Sequence, residues 1–387
     1  MRAPRRPSGD RRVAASGLRT WAVIAGGGTA GHVLPGLAVA RALVDAGHPP
    51  GSVHWVGSAS GQEAHLVPEA GFGVTLLPGR GIERRLSGAS LAAAWGLARA
   101  AVLAVVEVAR RRPAVVVALG GFASVPAAAA AVVLRVPLVL CEQNAVPGAA
   151  NRLLGRFARA AAVSFPGTDL PRARVTGNPV RPEVLAVDRS RDGQEARRAL
   201  GLPDHRRVVA SIGGSLGARR VNQAVLGALD LWAGRADLAL RHVVGRRDWE
   251  MVTAAMPELP EGGLVYQPVE YEERMDLVLA AADLAVSRAG GSVCAELAAI
   301  GLPALLVPLP GAPGDHQTAN ARHLVDAGAA VLVADVHLDG ARLVAEVDRL
   351  LGDPPALAAM ERAAAAAGRR DAAQAVAALV EEHARRG

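Results

Sequence analysis

The chain has no lysine, little aromatic content and two cysteines, and each shortage removes a class of function. Without lysine, all 43 basic residues are arginines, so the basic balance reflects composition before any affinity for nucleic acid. The formal charge is +7, but six arginines stand against one aspartate in the first twenty residues, leaving +2 for the rest. A nucleic-acid surface wants a basic stripe interleaved with aromatics, and at 3% aromatic residues the body supplies none. Ala, Val and Leu must fill the core instead, which suits close packing of helices on sheets. Cys141 and Cys294 lie far apart and match neither zinc spacing nor a disulfide framework, which points to a reducing compartment.

One hydrophobic run is long enough to cross a bilayer: Pro113 to Leu134, 22 residues without a charge. Gly120-Gly121 and Pro126 cut it, so it reads as strand, loop and helix. The arginine-rich tail over residues 1–20 is followed by no apolar stretch of signal-peptide type and is expected to be disordered.

What the chain does have is alternation. Its 387 residues suggest two domains, and apolar strand-like runs alternate with Ala/Leu-rich helical stretches throughout. Strands are expected at "WAVIA", "VHWVG", "VTLL", "AVVVAL", "PLVLC" and "AAVSF", then at "RVVASI", "LRHVV", "LVYQ", "LAVS", "PALLVP" and "AAVLV". Strands apolar on both faces and joined by helices imply parallel sheets covered on both sides. The pattern starts twice, because "AVIAGGGTAGH" and "VVASIGGSLGA" each set an apolar strand before Gly-Gly-[Thr/Ser]-x-Gly and a helix. The expected fold is α/β, with two Rossmann-like doubly wound domains. Between them, Gly177 to Pro203 carries prolines and dense charge and reads as a linker.

Gly26, Gly28 and Gly31 satisfy the dinucleotide pattern G-x-G-x-x-G. A nicotinamide enzyme also wants an acid at the end of the second strand, where this chain has Val56-Gly57-Ser58. A triphosphate loop wants Lys-Ser/Thr after the last glycine, and His32-Val33 stands there. What remains is a turn whose amides and helix start favour an anion. His32 sits at that helix start, either capping and packing or accepting a proton from a substrate hydroxyl.

In the second half, Ala289-Gly290-Gly291 form a loop after "LAVS", and Ser292 is expected to open a helix carrying Glu296. The amides there suit a diphosphate, and the two oxygens of Glu296 suit ribose hydroxyls, unless Glu296 only complements the helix dipole. Gln317 and Asn320, three apart, offer amides to a neutral sugar.

The ordered motifs "GGTAGH", "GGFAS", "CEQNAVPG", "GNPVR", "GGSLGA", "SRAGGSVCAEL" and "DHQTAN" carry a resemblance from Trp21 to the C-terminus. The chain resembles the MurG family of peptidoglycan N-acetylglucosaminyltransferases. The resemblance implies the GT-B arrangement, with an acceptor and membrane-facing domain over residues 21–180, a UDP-sugar domain over 181–369, and a last helix, about 370–387, returning to the first domain. It implies inverting, metal-independent transfer of N-acetylglucosamine from UDP-N-acetylglucosamine to the 4-hydroxyl of an undecaprenyl-diphosphate-linked muramyl pentapeptide, without a cofactor. Rivals are a related UDP-sugar transferase with another lipid acceptor, a silent precursor-binding scaffold, and a nicotinamide oxidoreductase.

Residue by residue, the resemblance places Thr29, Ala30 and Gly31 near the donor sugar and diphosphate and His32 beside the acceptor as base, with Glu142 in reserve. Asn144 and Gln317 match donor-sugar contacts, and Arg181 and Ser215 match nucleotide contacts, although an arginine such as Arg181, taken alone, is more often a surface or interdomain ion pair. Gly291, Ser292, Val293, Cys294, Ala295 and Glu296 match the loop and helix that hold diphosphate and ribose. Cys141 stands where the family usually has His and Val125 where it has Gly, which narrows the cradle for the acceptor diphosphate. The family's uracil-contacting position, usually apolar, falls near Glu272, where a backbone contact survives the change.

The acceptor's lipid stays in the bilayer, so the protein is expected at the cytoplasmic face of the bacterial membrane, held peripherally. Arg80, Arg84, Arg85 and Arg110 to Arg112, with Ile82, Leu86 and Trp95, form the candidate patch. A buried helix flanked by surface arginines is the alternative.

Overall fold

The computed structural model describes residues 19–78, 89–214 and 217–385, with backbone alone for 89–98 and Phe122. The arginine-rich tail before Arg19, Arg80, Ile82, Arg84, Arg85, Leu86 and Ser215 lie outside them, as does the side chain of Trp95.

The first sheet contains β1 (Ala22–Ala25), β2 (Val53–Ser58), β3 (Gly73–Leu77), β4 (Val115–Ala118), β5 (Leu138–Glu142), β6 (Ala160–Val163) and β7 (Ala173–Val175), in the order β3-β2-β1-β4-β5-β6-β7. The second contains β8 (Arg207–Ile212), β9 (Leu238–Val243), β10 (Val265–Val269), β11 (Leu284–Ser287), β12 (Ala304–Leu306) and β13 (Ala330–Leu332), in the order β10-β9-β8-β11-β12-β13. Every pairing is parallel, with β1 bridging β2 and β4 through Ala22, which faces Val53 and Val115. The expected strands are all present. The missed one, β7, is an edge strand exposed at all three residues, so no apolar run announces it.

Both faces of each sheet are covered. Ile24, Trp55, Val117 and Leu119 pack against Val33, Leu37 and Leu43 of helix Ala30–Asp45. The other face packs Val23, Val116 and Leu140 against Ala104 and Val108 of helix Ala89–Arg111. In the second sheet, Leu240, Leu284 and Leu305 meet Val225 and Leu229 of helix Arg219–Trp232. Each buried Val or Leu contributes about 1.5–3 kcal/mol of transfer free energy, and small Ala partners let helices approach closely.

Helix Ala372–His383 packs Val376 and Val380 into the first sheet's core, and Arg174 Nη2 donates to Glu382 Oε1 at 2.8 Å. The charged segment read as a linker is more structured than its composition suggests. It contains helices Pro182–Leu185 and Arg189–Ala199, the latter capped by Asp188, whose carboxylate accepts the Ser190 and Arg191 amides. Its buried Ala196 belongs to the same core as Val208 and Ala281, and its Arg189 and Arg197 turn inward to donate to the Ala282 and Ala281 carbonyls.

Pro113 to Leu134 resolves into β4, a short turn and helix Val125–Val133. None of the helices among the described residues is long and apolar enough to cross a membrane. In each sheet the strand order reverses beside the first strand of the repeat, β1 next to β4 and β8 next to β11. Ligands of doubly wound sheets sit at such switch points.

Candidate active site between the two sheets

The first glycine turn leaves β1 through Gly26, Gly27 and Gly28, all at positive φ. Beneath it lies Glu63, fully buried, whose carboxylate accepts the Gly28 amide and the Ser58 amide, each at 2.7 Å. The glycines make this possible: a Cβ on Gly27 would lie 2.0 Å from the Glu63 carboxyl carbon, and one on Gly61 2.0 Å from its Oε2. The expectation that this turn offers its amides to a substrate anion therefore needs correction at Gly28, because a carboxylate already holds that N–H. His32 and Val33 donate to the Thr29 carbonyl at 3.1 and 3.2 Å, leaving Ala30 and Gly31 as the first-turn amides without a carbonyl partner.

His32 is half-buried on the cavity wall, with Nδ1 3.3 Å from Thr29 Oγ1. Burial lowers its pKa below the ordinary 6.5. Glu142 and Glu63 oppose that shift, and His316 adds to it. At pH 7 the imidazole is neutral and can accept a proton.

Glu142, the reserve base, ends β5, and its oxygens are already engaged. Oε1 accepts from Asn144 N at 3.0 Å and Asn144 Nδ2 at 3.2 Å, and Oε2 from Gly148 N and Asn151 Nδ2, both at 2.9 Å. Four donors on one carboxylate favour a role in shaping the loop 143–148 over proton transfer. Cys141 packs in the first core, and burial pushes its thiol up to about 12, so the replacement of His there leaves an inert side chain. Val125 opens its helix half-buried on the cavity wall.

Across the cleft, the helix begins at Gly291, one residue earlier than expected. Cys294 N is the first amide to find a carbonyl, Gly290 O at 3.0 Å. The amides of Gly291, Ser292 and Val293 therefore remain as the helix's unsatisfied donors, the arrangement that receives a phosphate. Glu296, one turn on, is buried and accepts from Arg181 Nε at 2.8 Å through Oε1. Sequence alone left Arg181 as either a nucleotide contact or an ion pair, and here it is paired with the expected ribose ligand.

Other expected contacts are placed differently. Cys294 faces the core, its thiol pushed up to about 12 by burial, and Ala295 packs against the same core. Neither side chain lines the cavity. Asn320 is fully enclosed. Its Oδ1 accepts the Ala145 amide at 2.8 Å, and its Nδ2 donates to Asn144 Oδ1 and Ala289 O at 3.1 and 3.0 Å. It is an interdomain clamp whose polar atoms are committed to protein, so it cannot also serve a sugar. Gln317 turns Oε1 to the Ala289 and Leu309 amides at 3.2 and 2.9 Å. Asn144 lines the cavity. Glu272 lines it too, with its carboxylate turned onto Arg241 Nη2 at 2.6 Å, so the charge is neutralised at a position usually apolar.

The cavity has a volume of about 960 Å³ and is shared by Thr29, Ala30, Gly31 and His32 from one side and Arg181, Gly291, Ser292, Val293 and Glu296 from the other. The approach is close. A Cβ on Gly291 would come within 2.1 Å of the Gln143 carbonyl oxygen. Among the described residues no three of His, Cys, Asp and Glu gather as metal ligands.

Sequence reasoning missed two fully buried charges, Glu63 and Asp248, and the half-buried Arg241. Asp248 is fully buried near the second glycine turn, accepts from Asn222 Nδ2 at 3.1 Å, and pairs with Arg219 Nε at 3.2 Å and Arg247 Nε at 3.3 Å. The available signal for Glu63 was its setting among Gly57 and Gly61, but its partners are main-chain amides, which leave no trace in residue identity.

Two nucleotide-type sheets facing across one cavity, with free helix amides on one wall and a neutral imidazole on the other, define a glycosyltransferase of the GT-B arrangement. Residues 22–163 match the N-terminal domain of glycosyltransferase family 28, and residues 208–376 match its C-terminal domain. The chain belongs to this family.

A relative from Desulforudis audaxviator (strain MP104C) is 39% identical over 376 residues, covering 94% of this chain and 99% of the relative. One from Nocardioides sp. (strain ATCC BAA-499 / JS614) is 44% identical over 361 residues, covering 93% and 97%. Both are named UDP-N-acetylglucosamine–N-acetylmuramyl-(pentapeptide) pyrophosphoryl-undecaprenol N-acetylglucosamine transferase. The crystal structure of Acinetobacter baumannii MurG superposes with a TM-score of 0.73 at 28% identity, covering 94% of this chain and 99% of that one. A putative UDP-N-acetylglucosamine 2-epimerase from Listeria monocytogenes, at TM-score 0.65 and 16% identity over 94% of this chain and 96% of its own, shares the fold alone.

Proposed function

We propose that this protein transfers N-acetylglucosamine from UDP-N-acetylglucosamine to the 4-hydroxyl of a muramyl pentapeptide carried on undecaprenyl diphosphate, a step of peptidoglycan synthesis, with inversion at the anomeric carbon. The observation that carries this reading is the shared cavity, whose two walls have different chemistry. On the second-sheet side, the Gly291, Ser292 and Val293 amides receive the donor diphosphate, Glu296 binds the ribose hydroxyls, and Arg181 meets negative charge as UDP departs. Gln317 reaches the donor sugar through its amide nitrogen, since its oxygen is occupied. On the first-sheet side, His32 takes the proton of the attacking hydroxyl.

The acceptor unit is residues 21–180 with the terminal helix, and the donor unit is residues 181–369. The enzyme works peripherally at the cytoplasmic face of the membrane, where helix Ala89–Arg111 exposes Val102, Leu103 and Val106, with Val133 on the next helix. Arg99, Arg110, Arg112 and Arg135 are exposed around them, which matches an anionic leaflet.

The deciding experiment follows labelled N-acetylglucosamine from the UDP donor to lipid-linked muramyl pentapeptide in the presence of EDTA. Transfer undiminished by the chelator is expected. Transfer to diacylglycerol but not to the muramyl lipid would replace this reading with its rival, and binding of both substrates without turnover would leave only a scaffold.

A further inference from the structure

We propose that Glu63 is a positioning residue for the transfer: its carboxylate, buried beneath the first glycine turn without a counter-charge, steadies His32 as it takes up the proton of the attacking hydroxyl. This rests on His32 as the proton acceptor.

The internal repeat supplies the argument. Glu63 lies five residues past the last residue of β2 and Asp248 five residues past the last residue of β9, the equivalent strand. Each carboxylate is completely buried, and each sits against a glycine of its own repeat's turn, since a Cβ on Gly217 would lie 2.9 Å from Asp248 Oδ2.

The two differ in their counter-charge. Asp248 pairs with Arg219 and Arg247, so the second turn carries net positive charge at its back. Glu63 accepts only main-chain amides in the contacts described, and no arginine or histidine among the described residues pairs with it. The buried charge therefore stabilises a cation beside the first turn, and the cation nearest to hand is the one that catalysis creates.

That cation arises when the 4-oxygen of the acceptor bonds to the anomeric carbon. The bond from that carbon to UDP breaks, its electron pair leaves on the diphosphate, and the hydroxyl proton moves to His32. The ionisable groups facing the imidazole are Glu142, Glu63 and His316. Glu142 spreads its charge over four donors. Glu63 has two, and one of them, Gly28, adjoins the Thr29 cap of the helix that carries His32.

The test is Glu63→Gln, which keeps shape and removes charge, read by the pH profile of kcat/KM. The acid limb is expected to move to lower pH, because a lost negative neighbour makes His32 harder to protonate. On the plateau kcat is expected to fall about tenfold, the rate equivalent of one pKa unit, with UDP affinity by calorimetry changed less than twofold.

In a His32→Ala background Glu63→Gln should add nothing further. A folded Glu63→Gln variant with the acid limb and kcat of the unaltered protein overturns the proposal. If His32→Ala itself turns over normally, the assignment of the base fails instead. Should the amide not fold, Glu63→Asp, which withdraws the charge by one methylene, is read the same way, and an unshifted acid limb there is equally fatal.

Discussion

Ser292 Oγ donates a hydrogen bond to the Gly31 carbonyl at 3.1 Å, tying the helix start of one sheet to that of the other across the cavity. With the Asn320 bonds to Asn144 and Ala145, it holds the cleft closed. Each such bond contributes about 1 kcal/mol, so the closed state is stable yet cheap to open for substrate exchange.

Gly291→Ala tests this closure. Its added Cβ meets a main-chain oxygen, Gln143 O, which cannot rotate away. The two sides must separate, so kcat/KM is expected to fall at least about tenfold, an order-of-magnitude effect of misplacing reacting groups. UDP affinity should change little, because the amides and Glu296 sit together on one side. Small-angle scattering should show a larger radius of gyration. A variant with unaltered scattering and turnover would show that contact at Gly291 does not set the cleft.

His32 and Glu142 are separable by stability. Glu142→Gln places an amide NH2 where one carboxylate oxygen accepts two N–H donors, and each buried donor left unpaired costs about 1–3 kcal/mol. Its midpoint in denaturant should drop markedly along with activity. His32→Ala should leave the midpoint nearly unchanged and remove turnover by two orders of magnitude or more, as loss of a general base does. The opposite pattern, a stable but inactive Glu142→Gln beside an active His32→Ala, reverses the assignment.

The repeat, the parallel sheets and the glycine turns were legible because strands buried on both faces must be apolar and because tight turns demand glycine. The amides of Gly291 to Val293 followed from the same logic. The side chains of Asn320 and Cys294 point away from where their motifs suggested for one reason: motif position says that a residue is near a ligand but not which way its side chain points. Asn320 turns to Asn144 and Cys294 to the core. Glu63 stayed invisible because its partners are backbone, and β7 because an edge strand needs no pattern.

Two other buried histidines make stability fall in acid. His54 is lowered to about 4 by burial and by Arg111, and His242, between Asn222 and Tyr266, to about 3 by burial. In the unfolded chain both titrate near 6.5. Below that value the unfolded chain binds more protons, so stability present above pH 6.5 is lost as pH falls towards 4 and 3. Each histidine contributes a slope of about 1.4 kcal/mol per pH unit in that window. His242→Gln should be less stable at pH 7 but shallower by about that slope between pH 6 and 4, measured by denaturant unfolding. An unchanged slope would mean that His242 is not held neutral.

The exposed valines of helix Ala89–Arg111 give the membrane reading its own test. Val102 is 64% exposed and Val106 56%, four apart on one helix face, and Val133 is 71% exposed on the next helix. Burying two valines in the interface is worth about 1 kcal/mol each, so Val102→Ser with Val106→Ser should weaken partition onto anionic vesicles about thirtyfold. Replacing Arg110 and Arg135 should weaken it through charge, at about 1 kcal/mol each, and only this second loss should be mimicked by raising salt. Transfer to a water-soluble short-chain acceptor should stay at its original rate in both sets, since none of these residues lines the cavity. Flotation unchanged in the serine variant would assign the valine face to something other than lipid and move the membrane contact elsewhere on the first sheet's side.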